Sequence, residues 1–141
     1  MEKGTAEAEA GWHGLASVAR EIESIGRRCL ALLGDVGDEA DAERMVREAI
    51  AAFGRIDILV NNAGAPHGAD RNWSWEVPAE AFDTVMRINT RGTFLMSTAV
   101  TLHMLERAAG TGDGKIGGRI INMSSSSGQQ GLPRRAAYCA S

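Results

Sequence analysis

No stretch of this chain is apolar for long enough to span a bilayer, which takes about 20 residues, and Met1-Glu2-Lys3-Gly4 leads into acidic, alanine-rich sequence instead of an apolar signal core. The expectation is a cytoplasmic protein with no membrane partner. Cysteine is scarce: Cys29 lies in an apolar run and Cys139 beside the single tyrosine, without CxxC spacing. Two isolated thiols imply a reduced compartment and plain packing roles, not a disulfide framework. Positive charge is not in excess, with 15 Lys+Arg against 18 Asp+Glu, a formal charge of −3 and a pI near 5.6. That leaves no basic field to attract a phosphate backbone, so nucleic acid is excluded as an expected partner. No His/Cys/Asp/Glu cluster has metal-ligand spacing, so no metal is expected. What remains is ordinary for one globular domain: 141 residues, 44% hydrophobic and 23% charged.

Residues 1–11 are small and acidic with no periodicity and read as a disordered lead-in to one domain over 12–141. The spacing Leu15, Val18, Ile22, Ile25 predicts a helix, with Gly26 placed for a left-handed C-terminal cap. Cys29 to Leu33 is a short continuous apolar run, as for a strand buried on both faces of a parallel sheet, and it ends at Gly34-Asp35-Val36. Asp38 is placed to cap a second helix with the stripe Ala42, Met45, Val46, Ala49, Ile50 and Phe53, closed by Gly54. Ile58-Leu59-Val60 predicts a second buried strand. A polar loop with Pro66, His67, Trp73 and Trp75 then runs to Pro78, which suits the first turn of a helix containing Phe82, Val85 and Met86. Thr93 to Ala109, with Phe94, Leu95, Ala99, Leu102 and Leu105, predicts a long helix packed on a sheet, with Gly92 easing close packing. After a glycine-rich connection from Gly110 to Gly118, Arg119 to Met123 reads as a third strand. Helices and strands alternate, so the class is α/β with a parallel sheet.

Several short patterns have both a chemical and a bland reading. Gly112-Asp113-Gly114-Lys115-Ile116-Gly117 formally fits GxGxxG, but it leaves a helix and enters a strand. A pyrophosphate loop needs the opposite order, so that free helix amides meet the phosphates, and the stretch reads as a connector. Asn61-Asn62-Ala63-Gly64 stands at the carboxyl end of a strand, where open parallel sheets bind ligands and small residues let a nucleotide approach the backbone; the bland reading is a simple turn. The four serines from Ser124 to Ser127 could form a low-complexity loop, Tyr138 a packing residue, and Asn89 a helix kink or cap. His13, His67 and His103 read as solvated, although His67 follows the Asn-Ala-Gly segment. Trp73 and Trp75 either shape a ligand loop or cover the core.

Taken together, Asn61-Asn62-Ala63-Gly64 after an apolar run, Ser125 and the later Tyr138 in Tyr138-Cys139-Ala140-Ser141 resemble the short-chain dehydrogenase/reductase family. The resemblance implies an NAD(P)-dependent oxidoreductase, with NAD or NADP as cofactor and a small-molecule carbonyl/alcohol substrate. Asn122-Met123-Ser124-Ser125-Ser126-Ser127-Gly128 maps onto the family pattern Asn-x-Ser-Ser-x-x-Gly. This implies that Ser125 holds the substrate oxygen, with Ser124 the nearest competing assignment. Tyr138 would be the general acid/base, and Asn89 would hold a water of the proton relay. Asn62, Ala63 and Gly64 would border the cofactor's adenosine ribose, and Asp35 and Val36 its adenine.

The implied fold is a partial Rossmann-like, doubly wound parallel sheet, truncated at both ends. The family's first strand, glycine-rich turn and second strand have no counterpart in the chain, and its lysine, four places after the tyrosine, would fall beyond Ser141. A free tyrosine has a pKa of about 10 and needs a neighbouring cation to work near neutral pH. Lys115, in the connector, is a poor substitute, so the chain by itself is expected to turn over little or nothing. In strand order 3-2-1-4-5 the Cys29–Leu33 run lacks its neighbours. The expectation is therefore that Ile58 to Asn61 pairs parallel with Ile120 to Met123, while Cys29 to Leu33 pairs abnormally or hangs off. Exposed strand edges favour self-association, with a homo-oligomer as the result. The competing reading is a non-catalytic fragment that binds nucleotide weakly or joins another subunit through the helix from Gly92 to Ala109.

Overall fold

Glycine ends the first two helices of the structure. α1, Leu15–Ser24, closes on Gly26, whose φ of 76° lets its N–H reach the Glu23 carbonyl (2.9 Å) and the Arg27 N–H reach that of Ile22 (3.3 Å). Those two bonds form a Schellman motif, which satisfies carbonyls the helix leaves unpaired. α2, Glu39–Phe53, starts on Asp38, whose carboxylate accepts the Asp41 N–H at 2.9 Å, and stops at Gly54 with φ 84°. Both caps fall where the sequence places them.

The computed structural model describes residues 14–66, 68–111 and 117–141. The 1–11 lead-in, His13, His67, Lys115 and all but the last residue of the 112–117 stretch lie outside them. The chain forms two units, one ending at Leu33 and the other running from Gly34 to Ser141. In the first, α1 forms as its periodicity predicts, but none of its residues is buried.

The second unit contains α2, then β1 (Ile58–Asn61), α3 (Ala79–Met86), a π-helical turn (Arg87–Arg91), α4 (Gly92–Thr111), β2 (Arg119–Asn122), and the short helices α5 (Ser127–Gln130) and α6 (Ala136–Ala140). β1 and β2 run parallel, with Ile58 opposite Arg119 and Asn61 opposite Asn122. The expected pairing is there, set one residue earlier along the second strand. A parallel pair needs a crossover of a dozen residues or more, and α3, the π turn and α4 supply it.

Residues 29–33 form no strand: of the two outcomes expected for that apolar run, abnormal pairing or none, the second is found. A strand exists only through a neighbour's ladder of backbone hydrogen bonds, and the sheet of the described residues has two strands, β1 and β2. Nor is β1 buried on both faces. Leu59 and Asn61 point inward, whereas Ile58 and Val60 are 61% and 52% exposed, because α4 covers one side of the sheet.

The core sits between α2, α4 and that face: Val46, Val100 and Met104, with Ile50, Ile56, Leu59, Met96 and Ala99 around them. α4 therefore buries a face that shares only Ala99 and the half-buried Leu95 with the expected stripe. Phe94, Leu102 and Leu105 are exposed, and Val100, Met104 and Ala108 go in. The helix is apolar on several sides, so spacing alone does not choose the buried stripe. His103 is half-buried on α4 and accepts the Ile56 N–H at Nε2 (3.3 Å), a structural role in place of the expected solvated one. Arg107, one turn on, donates to the Ile56 carbonyl at 3.0 Å and pairs with Asp57 at 3.1 Å, and the Asp57 carbonyl accepts the Arg119 N–H at 2.9 Å. α4 thus clasps the amino ends of both strands.

Gly92 begins α4 where it crosses the segment after Gly34. A Cβ there would stand 2.7 Å from Val36 Cγ2 and 3.3 Å from the Val36 carbonyl carbon, so the close packing expected of Gly92 is present. Gly92→Ala is expected to lower unfolding free energy by about 1–3 kcal/mol, as overpacking does. Urea melts check this, and an unchanged midpoint would show that Val36 is free to move away.

Candidate active site

The carboxyl ends of the two strands are tied together by side chains. Asn61 Nδ2 donates to Asn122 Oδ1 (2.8 Å) and to Ser97 Oγ of α4 (2.9 Å), and the Met123 N–H continues the ladder to the Asn61 carbonyl at 3.0 Å. Both strands then release their loops on the same side. Between those loops lies a cavity of about 280 Å³. Asn62, Ala63 and Gly64 line it from β1, Ser124 and Ser125 from β2, Asn89 from the π turn, and Tyr138 from α6. Six of the eight residues that the resemblance assigns to the site thus share one cavity, with Ser124 beside them. Asp35 and Val36 do not line it.

Each wall is held by local chemistry. The Ser127 N–H donates to Ser125 Oγ at 3.2 Å, and the Ser125 hydroxyl meets Ser127 Oγ at 3.1 Å. A serine bonding the backbone two residues on is a small turn that competes with regular structure, and it precedes α5. Ser127 is buried, so Ser125 is fixed from behind while its hydroxyl can still rotate. Ser124 is exposed on the same cavity and has no such anchor in its side chain among the described residues.

Asn89 combines its bland reading with a functional placement. It lies in the π turn, where the Gly92 N–H reaches back five residues to the Arg87 carbonyl. Such turns leave a carbonyl out of the helical series, and Thr93 Oγ1 donates to that of Asn89 at 2.7 Å. The Asn89 side chain then bridges the cavity wall: Oδ1 accepts the Ala65 N–H at 2.8 Å and Nδ2 donates to Ser141 Oγ at 2.8 Å. Ser141 Oγ donates in turn to the Tyr138 carbonyl at 3.0 Å. A continuous hydrogen-bonded series therefore links the loop after β1, the π turn and α6.

Tyr138 is half-buried, and the Arg135 guanidinium carbon lies 4.2 Å from its ring centroid. The arginine is three residues earlier, just before α6, so both side chains fall on one face. Sequence reasoning sought an ammonium group near Tyr138 and passed over this cation; the i, i+3 spacing was the available signal. Neither Lys3 nor Lys115 is among the described residues. Thr93, Met123, Gly128, Cys139 and Ser141 are further lining residues that sequence reasoning did not single out for the site.

Asp35 belongs to a separate electrostatic cluster. Its carboxylate accepts from Arg87, at the start of the π turn, and from the Gly37 N–H at 2.8 Å. Arg87, then Gly37, hold its carboxyl below the ordinary carboxylate value. Arg91, at the other end of the same turn, donates to the Gly37 carbonyl. The two arginines fasten the π turn to the 35–37 loop, and Val36 packs on Gly92 from that loop.

Among the described residues no group of three His, Cys, Asp or Glu side chains could hold a metal ion, and no helix is long and apolar enough to cross a membrane. Trp73 and Trp75 are 41% and 77% exposed and stack on each other, so they do not cover the core.

Comparison with known proteins gives the same picture. The family model described as short chain dehydrogenase matches residues 7–141. An oxidoreductase of Thermotoga maritima is 39% identical over 121 residues, covering 85% of this chain and 43% of its own. A 2-(R)-hydroxypropyl-CoM dehydrogenase of Xanthobacter autotrophicus is 37% identical over 114 residues, covering 81% and 42%. The crystal structure of an NAD+-bound xylitol dehydrogenase superposes with a TM-score of 0.78 at 28% identity, over 89% of this chain and 45% of that one. The chain spans less than half the length of these relatives. The likeness supports the α/β parallel-sheet class, of Rossmann-like type.

Proposed function

Because this chain belongs to the short-chain dehydrogenase family, we propose that it carries the catalytic wall of an NAD(P)-dependent oxidoreductase acting on a carbonyl/alcohol pair. One observation carries the reading: Asn62, Ala63, Gly64, Asn89, Ser125 and Tyr138, far apart in sequence, line one cavity at the carboxyl end of a parallel sheet. That end is where sheets of this kind take their ligands.

The residues fit a nicotinamide cofactor. Asn62, Ala63 and Gly64 form a low floor, and a Cβ added at Gly64 would meet only Asn89 Oδ1, at 3.9 Å, so the backbone there is open to the cofactor's adenosine ribose. A volume of about 280 Å³ suits the nicotinamide end and a small substrate group, not a whole dinucleotide. The adenine end is assigned to Asp35 and Val36, outside the cavity, where Arg87 and the Gly37 N–H already hold the Asp35 carboxylate in place. When bound, the cofactor supplies or accepts a hydride. Support for this class comes from the NAD+-bound relative; the choice between NAD and NADP stays open.

In carbonyl reduction the Ser125 hydroxyl turns from Ser127 to donate to the substrate oxygen, and the Ser127 hydroxyl becomes free to donate to Ser125. Tyr138 gives its phenolic proton to the same oxygen. In oxidation the proton moves the other way. Arg135 lies over the Tyr138 ring, a cation–π contact that holds the ring in place. Asn89 holds the loop after β1 and α6 at a fixed separation through Ala65 and Ser141, and a water of the proton relay would sit against it. Substrates are small molecules bearing an alcohol or ketone, as the names of the relatives state for their own.

A second reading shares the same cavity: a nucleotide-binding or subunit-association module without turnover. It is favoured for the 141-residue polypeptide by itself, since the cation beside Tyr138 in the described residues is an arginine and not a lysine. NADH titration by nicotinamide fluorescence, run beside an NAD(P)H-oxidation assay on a ketone panel, separates the two. Saturable nucleotide binding supports both readings; its absence sinks the first and leaves of the second only subunit association. Turnover selects the first, and binding without turnover the second.

A further inference from the structure

Beyond Tyr138 lies a second opening of different chemistry. A cleft of about 460 Å³ is lined by Arg71, Leu132, Pro133, Arg134 and Arg135. Its walls hold three guanidinium groups, two apolar side chains and no carboxylate. Among the described residues no ion pair joins Arg71 or Arg134 to an acid, as is also true of Arg20, Arg27, Arg91 and Arg119. Like charges gathered without acids repel one another, and such a grouping is relieved by an anion.

The loop is built to hold one of these charges in place. Residues 132–135 form a turn closed by the Arg135 N–H on the Leu132 carbonyl at 3.2 Å, with Pro133 and Arg134 at its centre. Arg134 has φ 58°, the one positive φ of a non-glycine residue among the described residues. Turns of this kind take glycine at that position, because a Cβ is strained there. Strain of this sort is retained where the side chain is needed. The Arg134 guanidinium lies 4.9 Å over the ring of Trp73, which stacks on Trp75 at 5.4 Å between centroids and 4° between planes. The indole pair is a rigid platform that aims the charge without neutralising it.

Arg135 joins the cleft to the reactive cavity, since it lines the former and lies over the ring of Tyr138, which lines the latter. We propose that the cleft is a subsite for an oxyanion, a carboxylate or a phosphate, carried by the substrate whose carbonyl or alcohol oxygen meets Ser125 and Tyr138. Guanidinium groups match either oxyanion in bidentate geometry. The assignment rests on the dehydrogenase reading and narrows it to anionic ketones and alcohols.

Calorimetric titration of the purified chain tests it with two matched pairs: 4-oxopentanoate against its methyl ester, and dihydroxyacetone phosphate against dihydroxyacetone. The anionic member of at least one pair is expected to bind about tenfold tighter, and which pair responds distinguishes carboxylate from phosphate. Joint Arg71→Gln and Arg134→Gln substitution is expected to abolish the preference. Arg134→Gly adds a control for folding, since it should raise the melting temperature by relieving the turn while weakening the anion's binding about tenfold. No preference in either pair, or a preference that survives both sets of substitutions, overturns the subsite. NADH titration of the same samples keeps the two ideas separable. Nucleotide binding without anion preference overturns the subsite alone, and anion preference without nucleotide binding overturns the dehydrogenase reading instead.

Discussion

Replacing Tyr138 with phenylalanine is expected to lower kcat/KM for carbonyl reduction by about 10²–10⁴-fold in the catalytically competent protein that carries this chain, the range a positioned acid/base contributes. The ring stays, so its packing under Arg135 and its place in α6 stay with it. Only the phenolic oxygen is lost. NADH affinity and the melting temperature should therefore hardly change, and steady-state kinetics beside a nucleotide titration would show the split. A rate within a few-fold of the parent would remove Tyr138 from the chemistry and leave Ser125 or a water to carry the proton.

Gly64→Leu is the second large effect. Gly64 is exposed, its φ is not in the left-handed region, and an added Cβ has no neighbour nearer than 3.9 Å. The substitution should fold with a stability within about 1 kcal/mol of the parent. Its side chain would project into the cavity beside Asn89, over the floor assigned to the cofactor's adenosine ribose. NADH is expected to bind at least about tenfold more weakly, a loss of about 1.4 kcal/mol. Fluorescence titration checks the affinity and a thermal melt checks the fold. Unchanged affinity would mean that the nucleotide does not lie on Asn62, Ala63 and Gly64.

The parts of this molecule that announce themselves in sequence are those governed by local rules. Asp38 and Gly54 bound α2 because a carboxylate caps free amides and a glycine accepts positive φ, and neither depends on distant residues. The pairing of β1 with β2 was legible for a broader reason: two apolar runs separated by helices leave a parallel crossover as the economical arrangement. The run from Cys29 to Leu33 looked like a strand by its apolarity, but strand formation is decided by neighbours, and the expectation that a run without them stays unpaired is what the structure shows. The buried face of α4 was missed for a similar reason, since Phe94 and Leu102 are as apolar as Val100 and Met104 and only packing distinguishes them.

The candidate site divides along the same line. Ser125, Tyr138 and Asn62 were legible through the resemblance to the family's motifs, and the structure brings them to one cavity. The link from Asn89 to Ser141 was not legible, because it depends on a π turn that reorients a side chain by inserting one residue into the helix. Nor was the arginine cleft, which gathers Arg71 with Arg134 and Arg135 from loops more than sixty positions apart in the chain.

The central claim is that two hydroxyl groups act on one atom. A crystal structure of the protein with bound nicotinamide cofactor and a small ketone or alcohol tests it most directly. The account predicts Ser125 Oγ and Tyr138 Oη each at hydrogen-bond distance, about 2.5–3.2 Å, from the same ligand oxygen, with the cofactor's adenosine ribose beside Asn62 to Gly64. A ligand whose oxygen reaches only one of the two hydroxyls, or a cofactor seated away from that floor, would contradict it.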